Sequence, residues 1–314
     1  MNNVRFNLLT TYLKGMTMGA ADVIPGVSGG TIALITHIYE RLIRAINGIS
    51  LKLVLQLLGT KRKEAWRALD GAFLLSLALG IGTSILLFTS LIEWLLEAYP
   101  IPLWAFFFGL ILGSAVVLKN KVTSWRFSAF VALLTGALVA YGVGVISPSA
   151  GSENLLYLFF CGMLVVIAMI LPGISGAFIL ILLGAYQTAL ETVAKLKSFD
   201  PEGLIVFAVM ASGGLIGLKL FSKGLNWMFL HYKNTVLAAM TGFLIGSLFK
   251  VWPWKKTMTY HTNSEGVQEP LTTIAVFPDL GDASQQLGSA LLSFFVALVL
   301  LFFLERISKK NSDA

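Results

Sequence analysis

Two short runs hold residue types that could bind an anion within an apolar chain: "DVIPGVSGGTIALI" at residues 22–35 and "MILPGISGAFILIL" at 169–182. Each sets a Pro-Gly pair in hydrophobic sequence and follows it with a hydroxyl residue and glycine. Proline ends a helix because its ring clashes with the preceding turn and it has no N–H to donate. A helix restarting beyond it carries first-turn N–H groups without intrahelical partners. Those groups sit at the positive end of the helix dipole and favour a phosphate or carboxylate. Gly26, Gly29, Gly30, Gly173 and Gly176 would let an anion approach the backbone, and Ser28, Thr31 and Ser175 would add hydroxyl donors. The competing use of Pro and Gly is to kink helices or let them pack closely; two copies of the run favour a site.

Few charges accompany these runs. Lys219 lies within an apolar stretch, four residues before Lys223; an anionic ligand would offset its burial, and snorkelling to headgroups is the alternative. Asp22 directly precedes the first break, where it could orient the loop, bind a coupling cation, carry a proton or cap the adjoining amides. Arg41, followed by Arg44, suits headgroup anchoring and stands with Asp22 as a coupling or orienting candidate. Glu93 and Glu191 fall near chain segments expected at the outer face, as interfacial residues or coupling candidates. His37 reads as a packing or interfacial histidine. No catalytic or metal-binding constellation stands out: there is one cysteine, Cys161, and three scattered histidines, so no cofactor is expected.

The elements that must position these residues are membrane helices. With 56% hydrophobic and 12% charged residues in 314, the chain cannot cover a water-soluble surface, and the expected fold class is an all-α polytopic membrane protein. The net charge of +7 then fits cytoplasmic loops better than nucleic-acid binding. Spans of about 20 apolar residues are expected at 71–96, 102–118, 127–147, 203–229, 234–252 and 287–305. Residues 8–43 and 155–190, each broken by Pro-Gly, are expected to form re-entrant hairpins. Residues 44–70 read as a basic amphipathic segment lying on anionic lipid.

The broken regions are also copies. "GMTMGAADVIPGVSGGTIALITHIYERLI" from Gly15 aligns with "GMLVVIAMILPGISGAFILILLGAYQTAL" from Gly162, and the likeness continues through Gly80 with Gly213 and "GLILGS" (109–114) with "GFLIGS" (242–247). A tandem duplication follows, with a first repeat at 1–147 and a second at 148–314. The basic segment 44–70 should be cytoplasmic. Counting crossings puts 97–102 outside, 119–126 inside, 147–154 outside, 231–234 inside, the insert 255–285 in the periplasm and both termini in the cytoplasm. Lys250, Lys255 and Lys256 run against this scheme. Three crossings per repeat invert the repeats, an architecture of secondary transporters with broken helices at their sites.

These motifs resemble the bacterial polyprenyl-phosphate transporter family over almost the whole chain. The resemblance implies translocation of undecaprenyl phosphate from the outer to the inner leaflet of the cytoplasmic membrane, for reuse in envelope polymer synthesis. The expected partners are then a polyprenyl-phosphate lipid, the bilayer and a coupling proton or sodium ion. A rival is the undecaprenyl-pyrophosphate phosphatase class, whose Pro-Gly-x-Ser-Arg-Ser-Gly run has an arginine facing the phosphates. Here Gly29 and Gly176 follow the serines, so the arginine is missing from both copies. A transporter of a small soluble anion shares every feature except access for a lipid tail.

Overall fold

A computed structural model describes residues 8–22, 28–146, 151–197, 199–262, 268–278 and 286–312. The protein is an all-α membrane protein with one added β-hairpin. Helices α6 (Gly71–Ala98), α7 (Pro100–Lys119), α8 (Phe127–Val145) and α12 (Pro201–Ser247) are long and apolar enough to cross a bilayer. Shorter apolar helices are α9 (Leu155–Ile170) and the Leu287–Phe303 part of α13 (Leu287–Ser312). Local signals start several of them: Pro100 opens α7, Asn154 Oδ1 accepts from Leu156 N–H (2.8 Å), and Asp200 Oδ1 accepts from Glu202 N–H (2.8 Å).

The helices expected at 203–229 and 234–252 form two arms of α12 with a break between them. Together the two arms take up 47 residues. Tyr232, at φ −134° and ψ 42°, breaks the helical path and divides it into two arms. A 3-10 turn (Leu248–Val251) follows. The expected arms 28–43 and 175–190 are each divided as well. Helix α2 (Gly29–Ile35) gives way to α3 (Tyr39–Gly48), and α10 (Gly176–Leu182) to α11 (Tyr186–Lys197). The pivots are His37 and Gly184, both at φ 61°. Each closes the same C-terminal turn: Ile38 N–H donates to the Ala33 carbonyl and Ala185 N–H to the Leu180 carbonyl. Such turns favour glycine; a histidine at the first hides the stop from a sequence reading.

Segment 44–70 contains two short helices, α4 (Leu51–Leu57) and α5 (Arg62–Ala68), beyond the end of α3. The insert 255–285, which has no sequence signature beyond polarity, contains an antiparallel hairpin, β1 (Lys255–Thr262) with β2 (Gln268–Ala275). Trp252 Nε1–H donates to the Val276 carbonyl (2.9 Å) and Val276 N–H to the Trp254 carbonyl (2.9 Å), fastening the hairpin base to the end of α12.

Close glycine crossings hold the helices together, which suits a lipid solvent that offers no hydrophobic drive for association. Helix α1 (Leu8–Asp22) packs on α6 with Gly15 against Gly80, and α9 packs on the first arm of α12 with Gly162 beside Met210. A Cβ at Gly80 or Gly213 would collide with the carbonyls of Tyr12 and Phe159. Helix α7 packs on α13, where a Cβ at Gly109 would lie 2.7 Å from the Phe294 carbonyl; α8 packs on the second arm of α12, where Gly242 faces the Leu133 carbonyl.

Each broken region is a hairpin folded back on itself. Lys14 Nζ donates to the Thr36 carbonyl (2.7 Å), tying α1 to the end of α2, and Tyr157 Oη donates to the Leu183 carbonyl (2.5 Å), tying α9 to the end of α10. One end of the bundle is laced by polar contacts: Lys233 with Glu40 (2.7 Å), Lys121 Nζ with His37 Nδ1 (2.8 Å), and Thr123 N–H with Asn234 Oδ1 (3.0 Å). The β-hairpin marks the opposite end.

Candidate functional site

The start of α2, just beyond the first Pro-Gly run, meets the second break. Ser28, buried at the start of α2, has its hydroxyl 3.3 Å from both the Met169 and the Leu171 carbonyls, as donor. Buried Thr31 accepts at Oγ1 from Gly173 N–H (3.1 Å), and Tyr39 Oη donates to the Ile170 carbonyl (2.9 Å). A proline break strips the preceding turn of its intrahelical donors. Here the carbonyls left open at the end of α9 are satisfied by side chains at the starts of α2 and α3. Backbone fit adds to this, since a Cβ at Gly30 would lie 2.6 Å from the Ile170 carbonyl. Gly173, at φ 80°, takes a conformation that L side chains rarely adopt, and a Cβ there would lie 2.7 Å from Ser247 Oγ and 3.1 Å from the Phe243 carbonyl.

The tips of the two half-helices differ electrostatically. At α2, Gly29 N–H donates to Asp22 Oδ1 (2.6 Å), Gly30 N–H to Ser28 Oγ (3.1 Å), and Thr31 N–H to the Ser28 carbonyl (2.9 Å). The anion at this tip is therefore the carboxylate of Asp22. In the other copy Met169 stands where Asp22 stands in the first, and Ser175, at the start of α10, makes no capping bond with its hydroxyl. Gly176 packs against Met169, whose side chain would lie 2.6 Å from a Cβ at that glycine.

The site residues named from sequence fall into separate groups. Ser28, Gly29, Gly30, Thr31, Gly173 and Asp22 converge at the junction, and Ser175 and Gly176 flank it across Met169. Gly26 lies outside the described residues, as does the side chain of Glu93. Lys219 is elsewhere: its ammonium donates to the Asn47 carbonyl and to the Ile49 carbonyl (2.5 Å), capping the end of α3, a favourable place for a cation. Arg41 forms a forked pair with Asp70 (2.7 and 2.8 Å) and lies over the Phe73 ring. Glu191 is exposed on α11. Tyr39 and Ser247 join the junction without having been named from sequence. Their signal was present in the matched pairs Tyr39 with Tyr186 and Ser114 with Ser247, which mark positions kept through the duplication.

An apolar groove of about 470 Å³ runs between α8 and the second arm of α12, lined by residues including Val131, Val139, Ala239 and Phe243. Phe243 joins it to the junction, because its carbonyl contacts Gly173. A larger hollow, about 590 Å³, lies along α4 and the turn after it and shares no residue with either break.

Two helical hairpins that contact each other inside an apolar bundle, beside an apolar groove, define a multi-pass membrane protein with a buried polar centre. The chain matches the undecaprenyl phosphate translocase-like family over residues 18–269 and belongs to it. It is 40% identical over 308 residues to a polyprenyl-phosphate transporter of Vibrio cholerae, covering 97% of this chain and 98% of that protein. It is 30% identical over 253 residues to a polyprenyl-phosphate transporter of Staphylococcus aureus, covering 77% of this chain and 85% of that one. No solved structure matches it.

Proposed function

We propose that the protein carries undecaprenyl phosphate from the outer to the inner leaflet of the cytoplasmic membrane by alternating access, with the phosphate taken at the junction of the two breaks. The observation that carries this reading is the convergence of Ser28, Thr31 and Gly173 from two separate broken helices. A phosphate needs shelter in hydrocarbon, where an isolated charge costs tens of kcal/mol in a continuum treatment; a polyprenyl tail needs none. The groove between α8 and α12 gives the tail a path that keeps it in lipid while the headgroup reaches Gly173.

In this reading the two halves are inverted repeats and the hairpins are re-entrant, entering from opposite sides. Support comes from equivalent contacts: Gly15 with Gly80 corresponds to Gly162 with Gly213, and the turn at His37 to that at Gly184. The β-hairpin end faces the periplasm, and both termini the cytoplasm. In the described arrangement Asp22 occupies the tip of α2, so the phosphate sits at the second break, next to Ser175 and Gly176. Release of Asp22 by a proton or a sodium ion would open the first tip, making Asp22 the coupling residue. Both relatives are named as transporters, and the proposal is transport with no covalent step.

The test is reconstitution into liposomes carrying undecaprenyl phosphate, with headgroup exposure followed over time. Protein should accelerate flipping without releasing inorganic phosphate; equal rates with and without protein would refute transport of this lipid. Ser28→Ala combined with Ser175→Ala should slow it. Asp22→Asn should remove any dependence on an imposed ion gradient.

A further inference from the structure

Lys250 and Lys255 lie at the β-hairpin end of the bundle, and both turn inward onto aromatic rings. Lys250, in the turn that ends α12, has Nζ 3.8 Å from the centre of the Phe178 ring on α10. Lys255, the first residue of β1, has Nζ 3.3 Å from the centre of the Trp104 ring on α7. Both side chains are partly buried. The ion pairs of the described residues join Arg41 to Asp70, Lys195 to Glu202 and Lys233 to Glu40, so neither of these lysines has a carboxylate partner among them. Lys14 and Lys219, the other lysines drawn inward, each cap a helix carbonyl end. Among the described residues Lys250 and Lys255 meet ring faces, which return part of what a desolvated cation loses.

Burial pushes the Lys255 ammonium down to about 7, and the positive charge of Lys250 adds to the depression. Two like charges held together without an acid are costly as they stand and complementary to a compact anion. Their position connects them to the junction. Ser247, one turn before Lys250, contacts Gly173, and Phe178 lies two residues beyond Gly176. The tryptophan anchors at the base of the hairpin fix Lys255 in place. With Lys256, they are also the cations that run against the charge pattern of the other loops, on the face where orientation alone would disfavour them.

We propose that Lys250 and Lys255 form a receiving site for a phosphomonoester at the mouth of the second break, engaged before the headgroup reaches Gly173. This rests on the reading of the protein as a polyprenyl-phosphate carrier, and the experiment separates the two. Purified full-length protein is titrated calorimetrically with farnesyl phosphate, farnesol and inorganic phosphate. Variants are Lys250→Met with Lys255→Met, which keeps the stems over the rings, Lys250→Arg with Lys255→Arg, which keeps the charge, and Lys256→Met as an exposed control. The methionine pair should weaken farnesyl phosphate at least about tenfold, and the arginine pair and the control less than about threefold, with farnesol unchanged in all. Equal affinity in the methionine pair, or equal loss in the arginine pair, overturns the site. If wild-type protein binds inorganic phosphate through these lysines but not farnesyl phosphate, the site stands and the lipid reading falls; if it binds neither, both fall. On wild-type protein, farnesyl phosphate should also protect Lys250 and Lys255, and not Lys256, from an amine-reactive label read by mass spectrometry. Absence of protection overturns the site even where the methionine pair fails to fold.

Discussion

Thr31→Val tests whether the two broken hairpins are one unit. Thr31 is 1% exposed, and its Oγ1 accepts from Gly173 N–H at 3.1 Å. Valine keeps the branched shape and removes only the acceptor. Gly173 cannot readily turn its amide to another partner, because it is held at φ 80° against Ser247 and Phe243. The amide is then left unpaired in the bundle, a loss of about 1–3 kcal/mol, or a melting midpoint roughly 2–10 °C lower. Thr31→Ser keeps the oxygen and loses one methyl group, costing about 1 kcal/mol. The assay is thermal unfolding of purified protein in detergent, followed by tryptophan fluorescence, with Ser28→Ala and the double variant completing a cycle. Because both hydroxyls hold the same backbone turn, their losses should not add. If Thr31→Val melts at or above Thr31→Ser, or if the double loss is the simple sum, the breaks are not fastened to each other as described.

Other expectations follow from the same geometry. Gly213→Val places a side chain into the Phe159 carbonyl and should cost at least the 1–3 kcal/mol typical of overpacking, read as loss of monodisperse protein on gel filtration. Gly184→Ala, at φ 61°, should lower stability by about 1–2 kcal/mol in the same melting assay. Lys255 binds fewer protons folded than unfolded between about 7 and 10.5, with Lys250 the charged neighbour that deepens the shift. Its contribution to stability therefore rises with pH across that window, and Lys255→Met should flatten the pH dependence of the melting midpoint. Asp70→Asn should cost less than about 1 kcal/mol, because the pair with Arg41 is more than a third exposed on each side.

The sequence makes the apolar helices and the two breaks legible because both rest on local chemistry: long hydrophobic runs, and Pro-Gly pairs that no helix accommodates within its interior. Ser28, Thr31 and Gly173 could be named for the same reason, yet their contact spans more than a hundred residues and has no local sign. Lys219 shows the limit of reading charge in isolation. Its burial invites an anion, but the carbonyl end of α3 satisfies it, and the approach of α3 to α12 is a matter of tertiary packing. The second turn in each arm is announced by Gly184 and concealed by His37. The β-hairpin escaped because its threonines and tyrosine sit among polar residues and gain their order from Trp252 and Trp254 at the base.

The pairing of α7 with α13 and of α8 with the second arm of α12 means that each half of the chain closes its bundle with a helix from the other. The halves are clasped rather than stacked. Neither can swing clear without stripping glycine-to-carbonyl contacts from both seams at once, so the alternating access proposed above would take the form of a small rocking about the shared seams. Separately expressed halves should be insoluble alone and recover only when made together.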